Sequence, residues 1–240
     1  MSTSTTPPAA ASSCIASRSC RGASDRGGAV PDRPHLRVLG HPLVGDKVTR
    51  LRDHRTGHRE FRDLIREIGS LMAYEVLRDL PAEEVEVETP LETTTGLRVR
   101  EEDIVLVPIL RAGLGMLEGF TAVLPGARVG HVGLYRDHAT LQPVQYYFNV
   151  PRPAGRHFVV VDPMLGTGGS SSATITLLKE HGARDIRLAV LVACPEGVEA
   201  LERAHPDVPV FTAALDRQLN ENGYILPGLG DAGDRIFGSD

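Results

Sequence analysis

The stretch Val159-Val160-Val161-Asp162-Pro163-Met164-Leu165-Gly166-Thr167-Gly168-Gly169-Ser170 carries the clearest chemistry in this chain. An apolar strand ends in an acid, passes through a loop of glycines and hydroxyls, and runs into a helix. Glycines let backbone N–H groups converge on an anion with no Cβ in the way. A helix start adds unpaired donors and a positive dipole end. Thr167, Ser170 and Ser171 bring hydroxyls to the same place. Such a loop suits a phosphate monoester. Asp162, at the carboxyl end of the strand, has two readings: it accepts hydrogen bonds from sugar hydroxyls, or it caps the loop's own backbone.

Other phosphate loops fit poorly. A Walker loop needs a Gly-Lys-Ser/Thr run, and no lysine lies between Lys47 and Lys179. A dinucleotide fingerprint needs a third glycine where Ser171 stands. Gly228-Leu229-Gly230-Asp231-Ala232-Gly233 matches that fingerprint in letters, but the remaining chain is too short for a βαβ unit. Cys14, Cys20 and Cys194 form no Cys-x-x-Cys pair or Cys/His cluster, so no zinc site is expected. Cys194 follows an apolar run and reads as a core residue.

The elements that must position the loop follow from periodicity. Residues 59–79 place Phe61, Leu64, Ile65, Ile68, Leu71 and Met72 on one face of a long amphipathic helix. Alternating Glu and Val over 84–88, with a turn at Thr93 to Gly96, predict a short exposed hairpin. Ile104 to Leu110 is a strand buried on both faces, followed by a Gly-rich helix (Gly113 to Val123) and an apolar stretch from Arg128 to Tyr135. Thr140 to Val150, with aromatics around Pro143, suits a protruding hairpin. Phe158 to Val161, Ile186 to Ala193 and Val208 to Ala213 are further strands. Thr174 to His181, closed by Gly182, and Val198 to Ala204 are the intervening helices. Strand and helix in repetition predict an α/β fold with a mostly parallel sheet flanked by helices.

At 240 residues, with 41% hydrophobic and 24% charged residues, the chain can bury an ordinary core without a staple. The net charge of −5 argues against a non-specific nucleic-acid binder. Arginine supplies nearly all the positive charge, which suits phosphate recognition or reflects codon bias. No apolar run is long enough to span a membrane. Three cysteines so placed fit a reducing, cytoplasmic setting. Residues 1–34 are rich in Ser, Thr, Ala, Pro and Gly and carry Arg18, Arg21, Arg26 and Arg33 against Asp25 and Asp32. Their composition is that of a transit peptide, but without an amphipathic period, and a disordered extension is the simpler reading. The domain is then residues 35–240, with a charge of −7.

With these residues in place, the chain resembles the type I phosphoribosyltransferases, and their uracil phosphoribosyltransferase branch in particular. The resemblance rests on Asp-Pro-Met-Leu-x-Thr-Gly-Gly-Ser from Asp162, on Gly40-His41-Pro42-Leu43-Val44, on Pro108-Ile109-Leu110-Arg111-Ala112-Gly113-Leu114-Gly115, and on Gly223-Tyr224-Ile225-Leu226-Pro227-Gly228-Leu229-Gly230-Asp231-Ala232-Gly233-Asp234-Arg235. It covers the chain from about residue 36 to the end. It implies a type I phosphoribosyltransferase fold with a protruding β-hairpin and a base-binding C-terminal hood. It also implies pyrimidine salvage: uracil and phosphoribosyl pyrophosphate (PRPP) giving UMP and diphosphate. By the same resemblance Arg111 and Arg136 contact the diphosphate of PRPP. Asp162, Pro163, Met164, Leu165, Gly166, Thr167, Gly168, Gly169 and Ser170 hold the ribose and 5′-phosphate. Ile225, Gly230, Asp231 and Ala232 read uracil, Asp231 also reaching PRPP, and Arg111 and Asp231 carry catalysis. Tyr224 either closes the site or belongs to the core. Magnesium arrives on PRPP, with no dedicated protein cage. A homo-oligomer and a GTP effector belong to the same expectation, without residues to assign.

The loop departs from the family at Gly166, where alanine is more common, and Asp216-Arg217-Gln218-Leu219-Asn220 is slightly altered ahead of the base-binding turn. Two rivals stand beside this reading. One is an RNA-binding regulator on the same fold, which would need a basic face. The other is the same chemistry on a purine or on orotate, whose carboxylate would need a cation such as Arg235. Gly168→Val is expected to abolish PRPP binding by placing a side chain in the phosphate cradle.

Overall fold

Apolar runs and amphipathic segments alternate along the chain, and the computed structural model follows them closely. It describes Arg33 and residues 35–136 and 143–239. The extension read over residues 1–34, with Cys14 and Cys20, therefore lies outside the described residues except for Arg33, as does Thr140. In chain order come β1 (Leu36–Val38), α1 (Pro42–Arg52), α2 (His58–Val76), β2 (Glu83–Glu88), β3 (Thr93–Arg98), a 3₁₀ turn (Glu101–Asp103) and β4 (Ile104–Leu110). Then follow α3 (Gly113–Val123), β5 (Arg128–Val129), β6 (His131–Arg136), β7 (Pro143–Asn149), β8 (His157–Leu165), α4 (Gly169–Glu180) and β9 (Asp185–Ala193). The chain ends with α5 (Pro195–Ala204), β10 (Val210–Leu215), β11 (Gln218–Leu219), β12 (Ile225–Leu226) and α6 (Ala232–Phe237).

The main sheet runs in the order β1-β10-β9-β8-β4-β6-β7, with β5 also paired to β4. Its pairs are parallel except for β6 against β7 at one edge. The fold is thus a mostly parallel sheet flanked by helices, as the periods predict. The period-2 alternation of strands splits the apolar residues of β4 and β8 between two cores. Ile104, Leu106, Val159 and Val161 face Phe61, Ile65, Ile68 and Met72 of α2 and Met116 and Phe120 of α3. Val105, Val107, Phe158 and Val160 face Ile175 and Leu178 of α4 and Val198 and Leu201 of α5. Each fully buried large side chain contributes roughly 1.5–3 kcal/mol relative to exposure. Of the stripe predicted on α2, only Leu71 stays half-buried.

Three local expectations need correction. The exposed hairpin exists, but Thr93 to Gly96 form its second strand, and the turn lies at Thr89–Glu92. There Thr89 Oγ1 accepts from the backbone N–H groups of Leu91 and Glu92, a hydroxyl turn that outcompetes the Thr/Gly signal. The aromatic segment after Pro143 is one arm of a hairpin, its partner being β6, rather than a whole hairpin within 140–150. Finally, α4 begins at Gly169 and not at Thr174, so Gly169, Ser170 and Ser171 are already in its first turn. Cys194 is buried, as expected of a core residue.

Candidate active site

Strands β8, β9 and β10 succeed one another toward one edge, while β4, β6 and β7 run toward the other. The order of connection therefore reverses between β4 and β8. Crevices outside the carboxyl ends of strands at such a point are where α/β sheets bind ligands. The loop after β4 brings Arg111 there; the end of β8 brings Asp162 to Leu165, and the Gly166–Gly168 loop leads into Gly169 and Ser170 of α4. A cavity of about 400 Å³ opens at this place, lined by Asp162, Met164, Gly166, Thr167, Gly168, Gly169, Ser170, Ser171, Asn222, Gly223, Tyr224, Ile225 and Asp231. A larger groove of about 790 Å³ lies beside β1, α1 and α2, lined by residues such as Val38, Leu71 and Phe211. It lacks the loop, the convergent hydroxyls and the paired acids of the first cavity.

The phosphate loop owes its shape to Gly168. Its φ of +78° is left-handed, and it caps α4 without any side-chain hydrogen bond. The first turn of α4 holds no acidic residue, so no side-chain carboxylate of that turn opposes the positive end of the helix. A Cβ on Gly168 would meet the carbonyl oxygen of Gly197 at 3.1 Å and the Ala200 methyl at 3.3 Å, both on α5. A side chain there would press on α5 and not fill the cradle, which corrects the cause expected for Gly168→Val to backbone strain and a displaced loop. At Gly166 a Cβ would find only ordinary contacts, 3.5 Å to Leu219 and 3.8 Å to Ile225.

Asp162 is half-buried at the head of the cradle. Burial pushes its carboxyl up to about 7, and a hydrogen bond from the Met164 backbone pulls weakly the other way. Both readings of this acid thus keep a physical basis: it bonds its own loop and it lines the cavity.

The facing wall is the turn between β11 and β12. Asn220 Oδ1 accepts from the backbone N–H groups of Asn222 (3.0 Å) and Tyr224 (2.9 Å), and Gly223 takes a φ of +79°. Asp231, which also lines the cavity, caps α6 through the Asp234 N–H at 3.0 Å. Helix α6 is anchored to the end of α1. Arg235 Nη1 donates to the carbonyls of Leu51 (2.6 Å) and Leu229 (2.8 Å), its Nη2 donates to that of Asp53 (2.8 Å), and its guanidinium lies 4.2 Å from the Phe61 ring centre. Carbonyls at the end of a helix lack intrahelical partners, and a guanidinium supplies them.

The residues expected in the site are not all brought to one place. Asp162, Met164, Gly166, Thr167, Gly168, Gly169, Ser170, Ile225 and Asp231 line one cavity. Pro163 and Leu165 alternate inward from Asp162 and Met164 and are buried, Leu165 in the core on the α4–α5 face. Gly230 and Ala232 flank Asp231 outside the lining, Ala232 fully buried. Arg111 stands beside the cavity, 64% exposed, its Nη2 3.6 Å from Asp234 and its guanidinium 5.8 Å from the Phe237 ring centre. Arg136 ends β6. Tyr224 is 49% exposed at the rim, which removes the core reading. Arg235, spent on backbone carbonyls, is no cation for a base pocket. Asn222 was missed, although Asn222-Gly223 between Leu219 and Ile225 is itself a strong hairpin-turn signal.

Comparison with known proteins agrees with this arrangement. The family model described as uracil phosphoribosyltransferase matches residues 38–239. The chain is 57% identical over 206 residues to a uracil phosphoribosyltransferase of Polaromonas naphthalenivorans, covering 85% of this chain and 99% of that protein. It is 55% identical over 203 residues to one of Finegoldia magna, covering 84% and 97%. Among solved structures, the AQ2163 protein of Aquifex aeolicus superposes with a TM-score of 0.81 at 39% identity, covering 84% of this chain and 97% of that one. With these matches across nearly the whole of residues 38–239, the chain belongs to the uracil phosphoribosyltransferase family.

Proposed function

We propose that the chain catalyses the salvage reaction in which uracil and PRPP give UMP and diphosphate. One observation carries this reading beyond family membership. The Asp162–Ser170 loop and the Asn222–Ile225 turn face each other across a single cavity, so a phosphoribosyl group in the cradle would present its anomeric carbon toward the turn. Glycine-rich backbone donors take the 5′-phosphate, and Asp162 accepts from ribose hydroxyls. Uracil offers acceptor, donor and acceptor along O2, N3–H and O4, a pattern that backbone groups of a rigid turn match. Cytosine places an amino group where O4 stands and is disfavoured for that reason.

No side chain needs to act as nucleophile. N1 of uracil bonds to the anomeric carbon as the C1′–O bond to diphosphate breaks and the N1 proton passes to the departing diphosphate or solvent, so catalysis is positioning and charge stabilisation. Arg111, exposed beside Asp234, takes the diphosphate, with Arg136 as its second partner. Asp162 and Asp231 both line the cavity, and such oxygen donors suit magnesium, which arrives on PRPP and keeps much of its water. Held there, the ion would offset charge on the departing diphosphate. GTP as an effector, a homo-oligomer, a cytoplasmic setting and a separate N-terminal extension complete the reading. Among the described residues no helix is long and apolar enough to cross a membrane.

A panel of bases tests the assignment. With PRPP and magnesium, uracil should turn over and cytosine, orotate and hypoxanthine should not. Turnover of orotate without uracil would overturn the choice of base.

A further inference from the structure

The end of β10 and the end of the base-side turn meet at one buried ion pair. Arg52, from the last turn of α1, donates Nη2 to Asp216 Oδ1 at 2.5 Å and Nη1 to Asp216 Oδ2 at 2.8 Å. The same Nη1 donates to the Gly228 carbonyl at 2.7 Å, and the Gly228 N–H donates to Asp216 Oδ2 at 2.9 Å. Asp216 also anchors backward, its N–H donating to the Ala193 carbonyl of β9 at 2.7 Å. The pair thus ties both ends of the 217–227 excursion, the segment carrying Asn222 to Ile225, to two rigid elements. Gly228 can serve only as glycine: its φ is +63°, and a Cβ would collide with the Ile225 carbonyl oxygen.

The pair is well shielded, with the Asp216 side chain 4% and the Arg52 side chain 23% exposed. A shielded two-bonded Arg–carboxylate pair fixes geometry as well as charge. Neither side chain lines the cavity. Any effect on a bound base must therefore pass through the backbone of the turn.

We infer that Arg52 and Asp216 are positioning residues that set the base-reading turn at its distance from the phosphate loop, an inference that rests on the functional reading above. The Asp162–Ser170 segment is held by β8, α4 and α5; the turn touches it at Gly166 and is bonded to Glu196 of α5 through the Leu219 N–H, so the pair acts chiefly on the base half of the site. Base affinity should then depend on the pair far more than PRPP affinity.

Two variants test this. Arg52→Lys keeps a charge beside Asp216 but cannot serve both carboxylate oxygens and the Gly228 carbonyl at once. The double variant Arg52→Gln with Asp216→Asn removes both charges and keeps a hydrogen-bonded pair. In each, KM for uracil should rise about 10-fold or more, while the PRPP dissociation constant, measured without base, stays within about two-fold. Exchange of the Gly228 amide should accelerate with no change in the amides of β8. Equal shifts for uracil and PRPP, or no shift, would overturn the inference. So would loss of the whole fold in both variants by circular dichroism, since the pair would then support the domain rather than the turn. A parent chain that makes no UMP refutes the functional reading and this role with it; a parent that does, beside variants with unchanged uracil KM, refutes the positioning role alone.

Discussion

Asp162 is the residue whose titration reports most directly on the site. Its folded value near 7 lies above the ordinary carboxylate value of 3.8. Between those limits the unfolded chain loses the proton while the folded chain keeps it, so the free protein loses stability as pH rises through the window. Asp162→Asn should therefore stabilise the unliganded protein by roughly 1–3 kcal/mol at pH 8 and change little at pH 4, read from thermal melts. Activity should move the opposite way. The ionised carboxylate is the better acceptor for hydroxyls, so kcat/KM for PRPP should climb through about pH 7. In the asparagine variant it should be flat across that window and about 10- to 100-fold lower. A variant with the same kcat/KM for PRPP as the parent above pH 7 would remove Asp162 from substrate binding. Gly166→Ala is the complementary change. The methyl fits against Leu219 and Ile225, and a less flexible unfolded chain should gain about 0.4–1 kcal/mol of stability with PRPP binding equal or tighter. Weaker PRPP binding would mean that the loop requires a conformation alanine resists.

At the scale of elements, α1 is the platform of the site, although none of its side chains lines the cavity. Arg235 of α6 satisfies its terminal carbonyls, and Arg52 of α1 reaches the turn in return. Arg235→Met should lose about 2–4 kcal/mol of stability, because buried carbonyls are left without donors. A loss below about 0.5 kcal/mol by denaturant melts would contradict the anchoring role. These ties explain what was legible from sequence. The strands and α2 were readable because their burial follows a period of 2 or 3.6, as at Ile104 to Leu110 and Phe61 to Met72. The loop was readable because its requirements are local, a glycine at positive φ ahead of a helix. The partners of Arg52 and Arg235 were not, since nothing in their neighbourhood in sequence marks Asp216 or the Leu51 carbonyl as their destination. The turn at Thr89–Glu92 escaped for another reason: a single hydroxyl outweighed a more conspicuous run of Thr and Gly.

Across the whole molecule, the sheet's switch point brings together segments far apart in sequence, the loop after β8 and the turn before α6. The net charge of −7 on residues 35–240 argues against RNA as the ligand of this surface. Binding to an unstructured RNA should be weak, with little dependence on salt; a steep decline in affinity from about 50 to 200 mM salt would favour the regulator instead. Orotate is disfavoured by the same architecture, because Arg235 is committed to backbone carbonyls. The most direct test of the central claim is steady-state formation of UMP from uracil and PRPP with magnesium, with diphosphate measured in parallel. The expected result is UMP and diphosphate in equal amounts, with the rate lost on omission of either substrate. PRPP bound tightly in the cradle with no UMP formed from uracil would contradict it.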